Sequence, residues 1–431
     1  MLGSERRGGG HQVAAGNGRD STAERFRILA DSLAARGVDV DKVIERLKAQ
    51  AVETPSWGYG NSGTRFRVFG QPGVPRDPFE KFEDAAQVHK YTGICPSVAI
   101  HIPWDRVEDY GALQAHARGL GLRVGAVNPN VFQDEDYKFG SMCHPDPRVR
   151  RKATDVILEC IEVAKVTDSK ILSLWFADGT NYPGQDDFRS RKRRMEAVLA
   201  EVYRALPPDV RMLLEYKCFE PAFYATDLFD WGVSLLTCQQ LGPQAQVLVD
   251  LGHHLQGTNV EQIVAILRDE GRLGGFHFNN RKYADDDLIV GSINPYELFL
   301  IFCELVAAEQ AEDEPARRCA RAVAYMLDQS HNVEAKIPAM IRSVLNVHTA
   351  LAKALLVDRQ ALRQRQQACD VVGANSVLVE AYETDVRPLL ARVREGLGCP
   401  DPADPLGAFL ASGYLEQIAE SRKEGVPAGW G

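Results

Sequence analysis

Between Pro55 and about Gln329 the chain repeats one rhythm, a short apolar run followed by a longer segment of helical period. The clear runs are SVAIHIP (97–103), LRVGAVNPN (122–130), KILSLWFADG (170–179), VRMLLEYK (210–217), QVLVDLGHH (246–254), GGFHFNN (274–280) and AYMLDQS (324–330). WGYGNSGTRFRVF (57–69) is a weaker eighth. Runs that are apolar on both faces and alternate with helices read as parallel strands covered on both sides. Eight such units closing on themselves make a (β/α)8 barrel, and roughly 250 residues is typical of one. The competing open, doubly wound sheet normally carries a G-x-G-x-x-G phosphate loop, and this chain has none. The predicted fold class is therefore α/β, a (β/α)8 TIM barrel over 53–357. Two amphipathic helices are expected over 21–52, and a helical extension for oligomer contacts over 358–431, ending in a Pro/Gly-containing tail after Gly398. The first twenty residues, 1–20, are Gly/Arg/Ser-rich without apolar period and read as a disordered tail.

Composition removes several classes of function. Fifty basic against 59 acidic residues give a net charge of −9, which argues against a sequence-blind nucleic-acid binder. No run of eighteen apolar residues occurs, so no membrane span is expected, and the start carries no apolar stretch suited to a secretory signal. The nine cysteines are scattered without a C-x-x-C pair, a pattern of reduced thiols in a cytoplasmic protein.

In a barrel, chemistry collects where the strands end at their C-terminal side. Four consecutive strand candidates end in Glu215, Asp250, His277 and Asp328. A carboxylate at the end of an apolar strand is costly without a partner. Any one of the four could be a buried ion pair or a helix cap, but four in register on neighbouring strands point to a bound cation. A second cluster lies nearby: His253 three residues after Asp250, and Asp285 and Asp287 in NNRKYADDDL, two apart and so facing one side of an extended loop. Mixed oxygen and imidazole donors favour Mn²⁺, Mg²⁺ or Co²⁺ over a thiolate-bound zinc. His254 is expected only to pack or hydrogen-bond. Lys217 shares a strand face with Glu215, where it could polarise a carbonyl oxygen or simply neutralise the acidic site. His101 and Trp104 in HIPWD, and Trp175 and Asp178 in LWFADGTNYPGQ, end two further strands. Rings beside polar donors suit a sugar, and two cations beside a lysine suit aldose–ketose isomerisation.

At these residues the sequence resembles L-rhamnose isomerases of the Pseudomonas type, within the xylose-isomerase-like barrel superfamily. The likeness rests on PSWGYGNSGTRF, SVAIHIPWD, WFADGTNYPGQ, EYKCFEPAFY, VDLGHH, GGFHFNNRKYADDDL and MLDQSHNV, spanning about 50–335, and continues more weakly at KALLVDRQAL and ASGY. The resemblance implies a structural ion on Glu215, Asp250, His277 and Asp328, and a catalytic ion on His253, Asp285 and Asp287. It implies two divalent ions per subunit, Mn²⁺ foremost, with Co²⁺, Mg²⁺ or Zn²⁺ as alternatives. Catalysis falls to Lys217, Asp328 and His101, and the monosaccharide to Trp57, Phe66, His101, Trp104, Trp175 and Lys217. Phe66 is similar to an aromatic that reaches into a neighbouring subunit of a homotetramer. The implied reaction is L-rhamnose to L-rhamnulose, with L-mannose, L-lyxose and D-allose also accepted. Asn280-Arg281 stands where the family pattern has Asp-Ser, which bears on the loop and on substrate preference.

Two rival readings remain. A ketose 3-epimerase of the same superfamily would resemble a one-ion Glu/Asp/His/Glu site, whereas the last strand here offers Asp328. A non-catalytic sugar-binding barrel would tolerate missing ligands, and all seven are present.

Overall fold

The computed structural model describes residues 16–62, 68–220, 224–330 and 333–423. Eight parallel strands close a barrel: β1 (Glu53–Pro55), β2 (Ser97–Ile102), β3 (Arg123–Pro129), β4 (Ile171–Leu174), β5 (Arg211–Glu215), β6 (Ala245–Asp250), β7 (Leu273–Phe278) and β8 (Ala324–Leu327). Each strand pairs with its sequence neighbours, and β8 closes onto β1 through Glu53 opposite Met326. Period-two alternation divides most of the strands between two cores. Val98, Ile100 and Ile102 of β2 face the surrounding helices, while Ala99 turns inward to meet Trp57, Ala126, Leu213, Leu248 and Met326. Burying one such aliphatic side chain contributes about 1.5–3 kcal/mol, so both cores hold the strands in one register.

That register sets the site. Leu213, Leu248 and Met326 point into the barrel, so Glu215, Asp250 and Asp328, two residues later, do the same. Asp250 pairs directly with His277 across β6 and β7. The loops that follow the strands mostly end on Asx caps: Asp77, Asp109, Asp146, Asp187, Asp230, Asn259 and Asn294 each accept a backbone N–H of the helix they open. Such a cap is worth about 1 kcal/mol and fixes where each loop stops.

Three expectations change. The first strand is Glu53–Pro55 rather than the 57–69 run, whose start, Ser56–Gly58, is a 3-10 turn. Pro55 is tolerated because β1 is only three residues long and Pro closes it. The N-terminal helix begins at Gly16, inside the segment read as a disordered tail, and runs to Ala35. Beyond Gly398, where a tail was expected, two more helices form, Pro405–Leu410 and Tyr414–Ser421. The Pro there occupies a first helical turn behind the Asp404 cap, where its missing N–H costs nothing. Arg422 then docks this end onto the barrel, its Nη1 2.9 Å from Asp84 Oδ2, with the Tyr414 hydroxyl donating to Asp84 Oδ1 at 2.8 Å. None of the nine cysteines is in a disulfide, and seven are buried. Among the described residues no single helix is long and apolar enough to cross a membrane.

Candidate metal centre and active site

The strand ends bring Glu215, Asp250, His277 and Asp328 into one group, with one ligand-capable atom from each lying within 4.8 Å of the others. His277 Nδ1 stands 3.2 Å from Glu215 Oε2, 3.5 Å from Asp328 Oδ2 and 3.9 Å from Asp250 Oδ2. A second group comprises Asp250, His253 and Asp285, so Asp250 belongs to both. Asp287 lies outside this second group, although the sequence placed it there. The loop is not extended at that point: Asp287 has φ +46°, in the left-handed region, and its carboxylate is reached instead by Asn279 Nδ2 at 3.4 Å.

His253 is oriented from behind. Its Nδ1 lies 3.1 Å from the Tyr216 carbonyl, which can only accept, so Nδ1 keeps its proton and Nε2 is the nitrogen that would face a cation. That Nε2 faces Asp285 Oδ1 at 3.6 Å and Asp250 Oδ1 at 4.0 Å. His254 turns the other way and pairs with the Tyr216 hydroxyl at 2.6 Å, the packing role expected of it.

The electrostatics test whether a cation fits. Glu215 Oε1, His277 Nδ1 and Asp285 Oδ1 are buried without a hydrogen-bond partner. Burial pushes the Asp250 carboxyl up to about 7, helped by Glu215, Asp285 and Asp328 against the pull of His253. Burial opposes charge on the two imidazoles, yet the carboxylates around them raise His253 to about 10 and His277 to about 9. A site that draws protons this strongly is short of positive charge. Divalent cations would supply it and release those protons, so the residues fit a metal.

Lys217 sits against the second group. Its Nζ donates to Asp285 Oδ2 and Glu220 Oε2, both at 2.9 Å, and lies 5.1 Å over the Trp175 ring. Burial alone would lower its pKa, but Asp285 and Glu220 reverse this and raise it, so the amine stays charged. The opposite wall of the cavity is aromatic. His101 stacks on Trp104 at 4.0 Å, Trp57 meets His101 edge-on at 5.5 Å, and Phe132 meets Trp175 edge-on at 4.7 Å. Burial depresses the His101 imidazole to about 3, so this ring is neutral. Both walls line one cavity of about 1330 Å³ at the C-terminal mouth of the barrel. Phe66 lies outside the described residues.

The sequence did not single out four contributors. Phe132 lines the cavity from a loop and Glu220 from a two-residue strand, Phe219–Glu220, neither with a periodicity to mark it. Asp105, fully buried, accepts from Ser56 Oγ, from the His101 backbone N–H at 2.7 Å and from Lys81 Nζ at 2.8 Å, and so ties the Trp57 turn to β2. Asn279 could have been found, because it follows His277 by two and shares its face. Asn280 and Arg281, the departure from the family pattern, pin the loop that follows. Asn280 Oδ1 accepts the N–H groups of Ile293 and Asn294, and Arg281 Nη1 donates to the Leu251 carbonyl. Asp178, in contrast, is consumed structurally by Ser141 and Cys143.

Residues 82–297 match the family model of the xylose isomerase-like TIM barrel. The chain is 46% identical over 421 residues to a probable sugar isomerase of Rhizobium meliloti (strain 1021), covering 96% of each. It is 44% identical over 403 residues to a probable sugar isomerase of Mesorhizobium japonicum, covering 92% of each. Among solved structures an L-ribulose 3-epimerase shares the fold, with a TM-score of 0.54 at 13% identity over 75% of this chain and 98% of that one. By matching segment, full-length relatives and closed eight-stranded barrel together, the chain belongs to the xylose isomerase-like TIM barrel family.

Proposed function

We propose that the protein is a divalent-metal-dependent aldose–ketose isomerase that converts L-rhamnose to L-rhamnulose and also accepts L-mannose, L-lyxose and D-allose. The observation that carries this reading is Asp250. It belongs to both ligand groups, which would hold two cations at one end of a cavity whose other wall is aromatic. Glu215, Asp250, His277 and Asp328 would hold the first ion; Asp250, His253 and Asp285, with Asp287 beside them, would hold the second. Such ions, Mn²⁺ by preference, would supply Lewis acidity toward oxygens of an open-chain hydroxy-carbonyl.

The remaining work falls to the protein's own groups. Lys217, held protonated by Asp285 and Glu220, donates a hydrogen bond to a substrate oxygen and does not take up a proton. Trp57, Trp104, Phe132 and Trp175 offer apolar faces to the C–H side of a sugar and exclude water. Neutral His101, stacked on Trp104, presents an uncharged polar ring to the cavity. Assembly as a homotetramer, with Phe66 reaching a neighbour's site, belongs to the same proposal, and light scattering checks it.

The test incubates the Mn²⁺-loaded protein with each of the four aldoses and, separately, with the matching ketoses, and identifies products by ¹³C NMR. Formation of the matching ketoses supports the isomerase. Interconversion of ketoses at C3 without aldose would contradict it and favour the epimerase reading.

A further inference from the structure

Asn279 stands just past the end of β7, two residues after the inward-facing His277, and is 1% exposed. Its Nδ2 lies 3.0 Å from Asp250 Oδ1, 3.1 Å from Asp250 Oδ2 and 3.4 Å from Asp287 Oδ1. In the ionised form that holds a cation these carboxylate oxygens can only accept, so the amide presents its NH₂ to them, and its two hydrogens serve two different carboxylates. One of these is the carboxylate common to both ligand groups. The other sits on the loop after β7, which also carries Asp285. No other described hydrogen bond joins Asp250 to that loop's carboxylates. Gly252 packs into the same corner: a Cβ there would come within 3.2 Å of Asn279 Nδ2, 3.1 Å of Asp250 Oδ1 and 2.9 Å of Asp285 Oδ1. Asn279 is thus enclosed in the corner where the two carboxylates meet.

Resting on the two-ion reading above, we propose that Asn279 is a positioning residue that couples the two ion sites. Its amide ties Asp250 to Asp287, so the loop that completes the second site is held against the strand ends that form the first. Asn279 touches neither substrate nor reacting atoms. It acts through the carboxylates it holds, and its loss falls on the second ion.

The test is calorimetric titration of the ion-free protein with Mn²⁺ alone, comparing wild type with Asn279→Leu, which keeps the volume and removes both N–H groups. The readout is the ratio of the two ions' affinities. In the variant the weaker ion should loosen by about tenfold to a hundredfold, the range for removing a residue behind a metal ligand, while the tighter stays within about threefold. Asn279→Ser is titrated alongside in case the leucine variant fails to fold. Its single donor reaches one carboxylate at a time, and it should widen the same ratio by less. Two ions bound by a variant in an unchanged ratio, including equal loosening of both, would overturn the coupling role and leave the two-ion reading standing. A wild type that binds fewer than two ions would overturn both.

Discussion

The indole Nε1 of Trp57 donates a 2.8 Å hydrogen bond to Oδ1 of Asp328. Trp57 is therefore two things at once, an aromatic wall of the cavity and the residue that orients a carboxylate of the first ligand group. Trp57→Phe keeps a ring and deletes the donor. A hydrogen bond to a charged group is worth about 1.5–3 kcal/mol, so Mn²⁺ affinity at the tighter site should fall about tenfold to a hundredfold. Equilibrium dialysis measures it, and unchanged affinity would reduce the contact to packing.

Lys217 separates catalysis from ion binding. Its ammonium competes with a cation for Asp285, so Lys217→Met should leave Mn²⁺ affinity equal or tighter. Turnover should still fall about 10²–10³-fold, as when one preorganised donor at a developing charge is removed. Parallel kinetics and Mn²⁺ titration check this. Affinity that collapses together with turnover would make Lys217 a structural counter-ion only.

Gly252 adjoins the corner where Asp250, Asp285 and Asn279 meet. Gly252→Ala should force these side chains apart, lower the stability of the ion-free protein by about 1–3 kcal/mol and weaken the second ion. Thermal unfolding with and without Mn²⁺ reads both effects. A variant with wild-type unfolding and two undisturbed ions would show that the corner yields freely.

Stability should also depend on pH through a residue far from the site. His348 is 1% exposed, and its Nε2 lies 3.2 Å from the Leu47 carbonyl, joining the long helix Lys336–Leu355 to the helix Val40–Lys48. Burial pushes its imidazole down to about 3. An unfolded imidazole titrates near 6.5, so between about 6.5 and 3 the unfolded chain binds a proton that the folded chain refuses. The stabilisation is complete above 6.5 and is lost as pH falls, by about 2 kcal/mol between pH 6.5 and 5. His348→Gln should flatten the fall of melting temperature over that interval in the ion-free protein, and an unaltered slope would mean that His348 does not carry it.

How much of this was legible in the sequence follows from which interactions are local. Strands β2 to β8 stood out because buried parallel strands are unbroken apolar runs, and Glu215, Asp250, His277 and Asp328 stood out as polar ends of such runs. β1 did not, because three residues containing Glu and Pro carry no apolar pattern. Nor did the helix Tyr414–Ser421, which is anchored by distant Asp84 through Arg422 rather than by its own periodicity. Asp285 and Asp287 looked equivalent on spacing alone. The left-handed backbone at Asp287 parts them, and that depends on the loop fastened by Asn280 and Arg281. Glu220 became visible only once Lys217 was placed beside it.

The most direct test of the central claim is ion dependence. The protein is dialysed against EDTA, then freed of chelator, and ketose formation from L-rhamnose is followed before and after adding Mn²⁺. The expected result is no ketose from the stripped protein and full recovery with Mn²⁺, along with two ions bound per chain by elemental analysis. Undiminished ketose formation by protein shown to be metal-free would contradict the account.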